Sequence, residues 1–409
     1  MSTAPVARSR ALTRVLRNAL FLSSLCVPLA IGSGQSGHAV RYSDSGPEPM
    51  LEQVFRQIER KRLDLALEQV DALLHIWPNF RLAHLIRGDL LMARASALTT
   101  IGNAPNAPAE RLADLRDEAI ARIRAYRDKP PVDRVPRYLM QLPADQRHAL
   151  VVDARRSRLY LYENVDGKPR FVADWYVSHG RLGIEKMREG DKKTPLGVYQ
   201  VTGFLPPEKL TDFYGAGALP INYPNAWDRK QGRNGHGIWL HGVPSDTFSR
   251  PPRASDGCVV LANPDFQALN KYVQGAPVPV VISDQVEWLT LDDWQAERAE
   301  FNRALEQWRV DWESRDTDRL LSHYSPQFSA DGKNFDAFAK NKREVNAAKK
   351  WIKVGVRNLS TFRNPGRDHL VVVTFEQDYR SDNLSNVMRK QQYWQKENGR
   401  WRIVFEGSA

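Results

Sequence analysis

Apolar residues recur at helical spacing from residue 49 to about residue 129, and at every second position from residue 149 onward. Between the two patterns lie Pro130, Pro131, Pro136 and Pro143, a density that stops any helix. A chain whose hydrophobic period switches in this way must place a helical unit ahead of a β-rich one. With 409 residues it is also too long for one ordinary core, so two or three domains are expected.

The first of these, residues 40–146 with the Pro-rich stretch as linker, puts Leu51, Val54, Phe55 and Ile58 on one helix face. Leu65, Val70, Leu73, Leu74 and Trp77 mark a second helix, Leu82, Leu85, Ile86 and Leu90 a third, and Leu112, Leu115, Ala119 and Ile123 a fourth. Pairs of helices this size suggest a repeat array, but no repeat of about 34 residues is present. A bundle that packs on the next domain, or on a second copy of the chain as a homodimer, is therefore expected.

Residues 147–285 read as a β-rich domain with one helix. In the stretch 158–163, Leu159 and Leu161 take one face of a strand and Tyr160 and Tyr162 the other. The loop 204–234, with Phe213, Tyr214, Tyr223 and Trp227 among glycines and prolines, is long enough to expect a functional wall there, with Tyr214 and Trp227 facing substrate. Residues 286–409 open with a helix carrying Trp294, Phe301, Leu305, Trp308 and Trp312 on one face, followed by four strands, the last two joined at Asn398-Gly399. Helices first and a curved antiparallel sheet after is an α+β plan, and its layout resembles the nuclear-transport-factor-2-like (NTF2-like) cone.

The first 39 residues differ in kind. Arg8, Arg10, Arg14 and Arg17 precede a short apolar run and then small residues ending at Ala39, the pattern of a secretory signal peptide. A periplasmic location is expected. Loss of those four arginines lowers the net charge from +11 to +7, still basic. No dense Lys/Arg run with interleaved aromatics occurs, so anionic cell-envelope polymer is a better counterpart than nucleic acid. Of the two cysteines, Cys26 lies in the signal, which leaves Cys258 as a lone thiol without a disulfide partner.

Cys258 sits 17 positions after His241. If residues 238–241 form a strand, Ile238 and Leu240 point into the core, while Trp239 and His241 share the open face. Ser255-Asp256-Gly257 leads directly into Cys258, and the backbone N–H groups of Gly257 and Cys258 could line an oxyanion hole. A nearby imidazole would lower the thiol pKa by forming an ion pair, with His241 as general base. A carboxylate beside a thiolate would raise that pKa, so Asp256 is expected to be turned away or paired with a cation. A metal site is not expected, because His236 and His241 fall on opposite strand faces and no second cysteine is near.

His241-Gly242 with Ser255-Asp256-Gly257-Cys258 resembles the signature of the L,D-transpeptidase catalytic (YkuD) domain family, and Val177-Ser178-His179-Gly180 and Thr194-Pro195-Leu196-Gly197 are similar to its upstream landmarks. The resemblance implies a cofactor-free enzyme that cuts tetrapeptide stems of peptidoglycan through a Cys258 acyl-enzyme, with His241 as base and Trp239, Ser255 and Asp256 near the substrate. Asp256 and Val260 depart from the commonest family residues. The domain order is similar to that of cell-shape-determining L,D-carboxypeptidases with an NTF2-like domain, so the acyl group could pass to a second stem or to water. A non-enzymatic envelope-binding protein is the remaining alternative.

Overall fold

The computed structural model describes residues 46–95, 100–102, 107–274, 277–330, 332–366 and 369–409; the expected signal peptide lies outside them. Four helices come first, Glu48–Glu59, Leu63–Ile76, Arg81–Met92 and Ala109–Arg127. Their inward faces, including Leu51, Val54, Val70, Leu73, Ile86 and Leu90, form one core that also takes in Phe248 and Ala262 from the next domain. Leu65 is 43% exposed and Ala66 takes the inward place, so the apolar stripe of the second helix is rotated from the expected one.

The Pro-rich stretch is more than a connector. It contains β1 (Arg134–Pro136) and β2 (Leu139–Gln141), and these pair with elements far down the chain. A proline costs little there, because it ends a short two-stranded ribbon rather than interrupting a central strand.

The β-rich part contains β3 (His148–Asp153), β4 (Arg158–Val165), β5 (Lys168–Tyr176), β6 (His179–Gly180), β7 (Gly197–Gln200), β8 (Ala218–Pro220), β9 (Trp239–His241), β10 (Arg253–Ser255), β11 (Val259–Val260) and β12 (Pro279–Ser283). The main sheet has the order β5-β4-β3-β12-β7; a smaller sheet runs β11-β9-β8, and β10 pairs with β6. As the alternation requires, Leu159 and Leu161 enter one core with Leu240, Val259 and Phe266. Tyr160 and Tyr162 enter another, shared with Phe362, Val372 and Tyr393 of the C-terminal part.

That C-terminal part contains β13 (Trp288–Thr290), the 23-residue helix Leu291–Glu313, helices Thr317–Ser322 and Phe335–Ala347, and β14 (Tyr324–Ala330), β15 (Lys333–Asn334), β16 (Ile352–Arg363), β17 (Leu370–Ser381), β18 (Ser385–Glu397) and β19 (Arg400–Ser408). Its sheet has the order β15-β14-β19-β18-β17-β16-β2 and wraps a core built on Phe301, Trp308, Trp312 and Trp394. Asn398 and Gly399 both have positive φ, 49° and 79°, as a two-residue hairpin of the favoured hand needs. β1 pairs with β13 and β2 forms the edge beside β16, so the stretch before the β-rich part is stitched to the segment after it.

Candidate active site

β9 lies between β8 and β11 in the small sheet, with Val259 opposite Leu240 and Val260 opposite His241 in a parallel ladder. Ile238 and Leu240 are core residues, which puts Trp239 and His241 on the other face. Cys258 is one residue ahead of β11 and so falls level with Trp239, on the face that His241 shares. The two residues paired by sequence reasoning are thus on adjacent strands, offset by about 7 Å along the strand direction.

His241 is not open to solvent as the alternation suggested; it is 1% exposed. The loop after β7 covers it, with the ring of Tyr214 at 5.1 Å and that of Phe213 at 5.8 Å. Its Nδ1 lies 2.7 Å from the Gly242 carbonyl oxygen. A carbonyl can only accept, so Nδ1 carries the proton and Nε2 keeps a free lone pair. Burial holds the imidazole pKa down to about 4, against a lift from the Gly242 bond. At neutral pH His241 is therefore uncharged.

Cys258 keeps partial solvent contact, with Sγ 3.4 Å from the Gly237 carbonyl oxygen. Burial pushes its thiol above the ordinary value, while the Trp239 N–H, Arg250 and Lys186 pull it back and Asp256 adds to the rise. Burial thus works against the expected thiolate–imidazolium ion pair, disfavouring the charged form of both groups.

The turn before Cys258 is fixed from three sides. The Ser255 hydroxyl accepts from the Gly257 N–H at 3.1 Å and donates to the Cys258 carbonyl at 2.6 Å. Thr194 Oγ1 donates to the Gly257 carbonyl and accepts from the Gly180 N–H, both at 2.8 Å. Gly257 has φ of 137°, and a Cβ there would meet the Lys193 carbonyl at 2.9 Å, so only glycine fits. The upstream landmarks at Gly180 and Thr194 therefore act through this turn.

Several expectations change. The Gly257 N–H is committed to Ser255, so of the two amides read as an oxyanion hole only that of Cys258 is left clear of this bracket. Ser255 is 2% exposed and braces the turn instead of facing substrate. Trp227 is 6% exposed and stacks on Tyr393 at 5.3 Å, sealing the contact with the C-terminal part. Its partner in that expectation, Tyr214, does reach the site, packing on both His241 and Trp239, the latter at 4.9 Å. Asp256 pairs with Arg181 at 2.9 Å, which answers the question of a carboxylate beside the thiol. Arg250, in the loop joining β9 to β10, also acts on the thiol through its charge, and nothing in the spacing of a polar loop signals that.

The fold and the site define a YkuD-type L,D-transpeptidase catalytic domain with an NTF2-like domain behind it. Residues 147–282 match the family model of the L,D-transpeptidase catalytic domain, and residues 300–407 match that of the Cds6 C-terminal NTF2-like domain. Among curated proteins, the putative L,D-transpeptidase YafK of Escherichia coli K12 is 34% identical over 100 residues, which is 24% of this chain and 35% of that protein. The match thus spans about a third of that relative's length. Bd1075 of Bdellovibrio bacteriovorus superposes with a TM-score of 0.60 at 27% identity, covering 68% of this chain and 98% of that one. The helical cell shape determining protein Pgp2 of Campylobacter jejuni superposes with a TM-score of 0.57 at 26% identity, covering 66% and 95%.

Proposed function

We propose that this protein is a periplasmic L,D-transpeptidase acting on tetrapeptide stems of peptidoglycan through a Cys258 acyl-enzyme. Cys258 Sγ attacks the carbonyl at the L-centre of meso-diaminopimelate, and its proton passes to Nε2 of His241. The same proton then goes to the nitrogen of the departing D-alanine, leaving a thioester. The amine of a second stem attacks next and gives a proton to His241, which passes it to the departing sulfur and so restores the thiol. The Cys258 N–H is the donor available to the oxyanion in both halves.

The observation that carries this reading is the held tautomer of His241, whose bond to Gly242 leaves Nε2 as acceptor on the face it shares with Cys258. Purified protein incubated with tetrapeptide muropeptides should release D-alanine and form cross-linked dimers, and Cys258→Ala should do neither. Retention of both products by Cys258→Ala would remove the reading.

A second reading, hydrolysis to the tripeptide, rests on the domain order, a catalytic domain followed by an NTF2-like domain, and the likeness to the cell shape determining protein Pgp2 spans 95% of that chain. The same incubation separates the two, since tripeptide without dimers means that water is the acceptor.

A further inference from the structure

The loop 244–252, between His241 and Cys258, is held from outside the catalytic domain. The Phe248 ring packs on Phe80 at 4.9 Å within the core of the N-terminal helices. Next to it, Ser249 Oγ donates to Glu118 Oε1 at 2.6 Å, and the Arg250 carbonyl accepts from the Tyr176 hydroxyl at 2.9 Å. Both bonds fix the backbone on either side of one side chain, that of Arg250.

The Arg250 guanidinium lies 4.6 Å over the Phe213 ring, which also packs on Tyr214 and His241, and one Nη donates to the Phe213 carbonyl at 3.5 Å. Other cations around the sulfur have carboxylate partners: Arg181 has Asp256 at 2.9 Å and Lys186 has Asp191 at 2.8 Å. Among the described residues no carboxylate lies within ion-pair distance of Arg250. It is half-buried, and its charge acts on Cys258. A planar, always-charged fork held over a ring beside the nucleophile, with its two-pronged donor edge uncommitted to any carboxylate, is built to receive one.

We propose that Arg250 is the specificity-determining residue of the site, pairing with the free α-carboxylate of the residue that leaves the stem. This deepens the reading given under Proposed function and rests on it. Every L,D-cleaved stem ends in such a carboxylate, next to the scissile bond. Diaminopimelate carries a second one at its D-centre, so the same guanidinium could in chemistry accept either.

Two measurements on wild type and Arg250→Gln test the proposal. The first compares alkylation of Cys258 by iodoacetate and by uncharged iodoacetamide, which needs no peptidoglycan activity. The ratio of rates should fall about tenfold in Arg250→Gln, chiefly through iodoacetate. The second compares D-residue release from a tetrapeptide, from its C-terminal amide and from a stem amidated at the diaminopimelate D-centre. Wild type should prefer the free acid over the C-terminal amide by roughly tenfold to a hundredfold in kcat/KM, and Arg250→Gln should lose that preference. An alkylation ratio that the substitution leaves unchanged overturns the proposal. So does selectivity that responds only to amidation of diaminopimelate. If wild type releases no D-residue at all, the functional reading falls, and the alkylation ratio still decides whether Arg250 receives a carboxylate at the thiol.

Discussion

The Ser255 hydroxyl donates to the Cys258 carbonyl oxygen at 2.6 Å, so a residue three positions before the sulfur sets the backbone on which it stands. Ser255 Oγ in turn accepts from the Gly257 N–H, and Ser255 is buried. Ser255→Ala should leave both groups short of a partner, costing about 1–3 kcal/mol of stability. It should also lower kcat roughly tenfold to a hundredfold by loosening the nucleophile's position, with a smaller change in KM. Full activity at unchanged melting temperature would mean that the bracket is not needed.

The pH dependence follows from His241. Its pKa is lowered to about 4, so the neutral base persists well below neutrality. The acid limb of kcat/KM should have its midpoint near 4, not near the ordinary histidine value of about 6.5. Stability moves in the same direction. The unfolded chain binds a proton at about 6.5 that the folded chain binds only near 4, so stability is full above about 6.5 and is lost as pH falls between the two values. His179, also held down to about 4 by burial, adds to the slope. Melting temperatures measured from pH 7 to pH 4 should fall, and His241→Asn should flatten part of the fall. An acid limb centred near 6.5 would show that another group is the base.

Tyr214 and Trp227, grouped by the composition of one loop, should separate under mutation. Trp227→Ala removes a buried ring that stacks on Tyr393, and should cost about 3–5 kcal/mol. Alkylation of Cys258 in the folded fraction should be unaffected. Tyr214 is partly exposed and packs on His241 and Trp239. Tyr214→Ala should cost far less stability and lower kcat/KM by roughly tenfold or more. Thermal melts beside steady-state rates decide it, and equal effects in both variants would contradict the placement.

Much of this arrangement was legible because β-strands write their faces into the sequence. Alternation alone assigned Leu159 and Leu161 to one side and Tyr160 and Tyr162 to the other, and set Trp239 and His241 apart from Ile238 and Leu240. The illegible parts depend on contacts between distant segments. That β2 completes the sheet at β16 more than two hundred residues away is a matter of tertiary pairing, for which three residues hold no local signal. That Phe213 and Tyr214 roof over His241, and that Ser255 takes up the Gly257 N–H, depends on how loops close. Arg250 is illegible for the same reason: the two residues before it, Phe248 and Ser249, are held by Phe80 and Glu118 of the N-terminal part.

That dependence gives the last prediction. Glu118 accepts from Ser249 at 2.6 Å and from Arg122 Nε at 2.9 Å, and Arg122 is 1% exposed with Glu48 as its second partner at 2.6 Å. Glu118→Ala removes one of the two carboxylates facing a buried guanidinium and leaves the Ser249 hydroxyl without its acceptor. The cost should approach about 3–5 kcal/mol, as for a buried ion pair deprived of one member. Because Ser249 precedes Arg250, the free-acid preference should shrink along with the stability, although Glu118 is in the N-terminal helices and touches neither Cys258 nor His241. Glu118→Gln keeps an oxygen for Ser249 while giving up the charge, so it should lose stability but retain most of that preference. Competition assays with the free tetrapeptide and its C-terminal amide, run on both variants below their melting temperatures, check the point. If the alanine variant keeps the full preference, the helices support the fold without positioning Arg250.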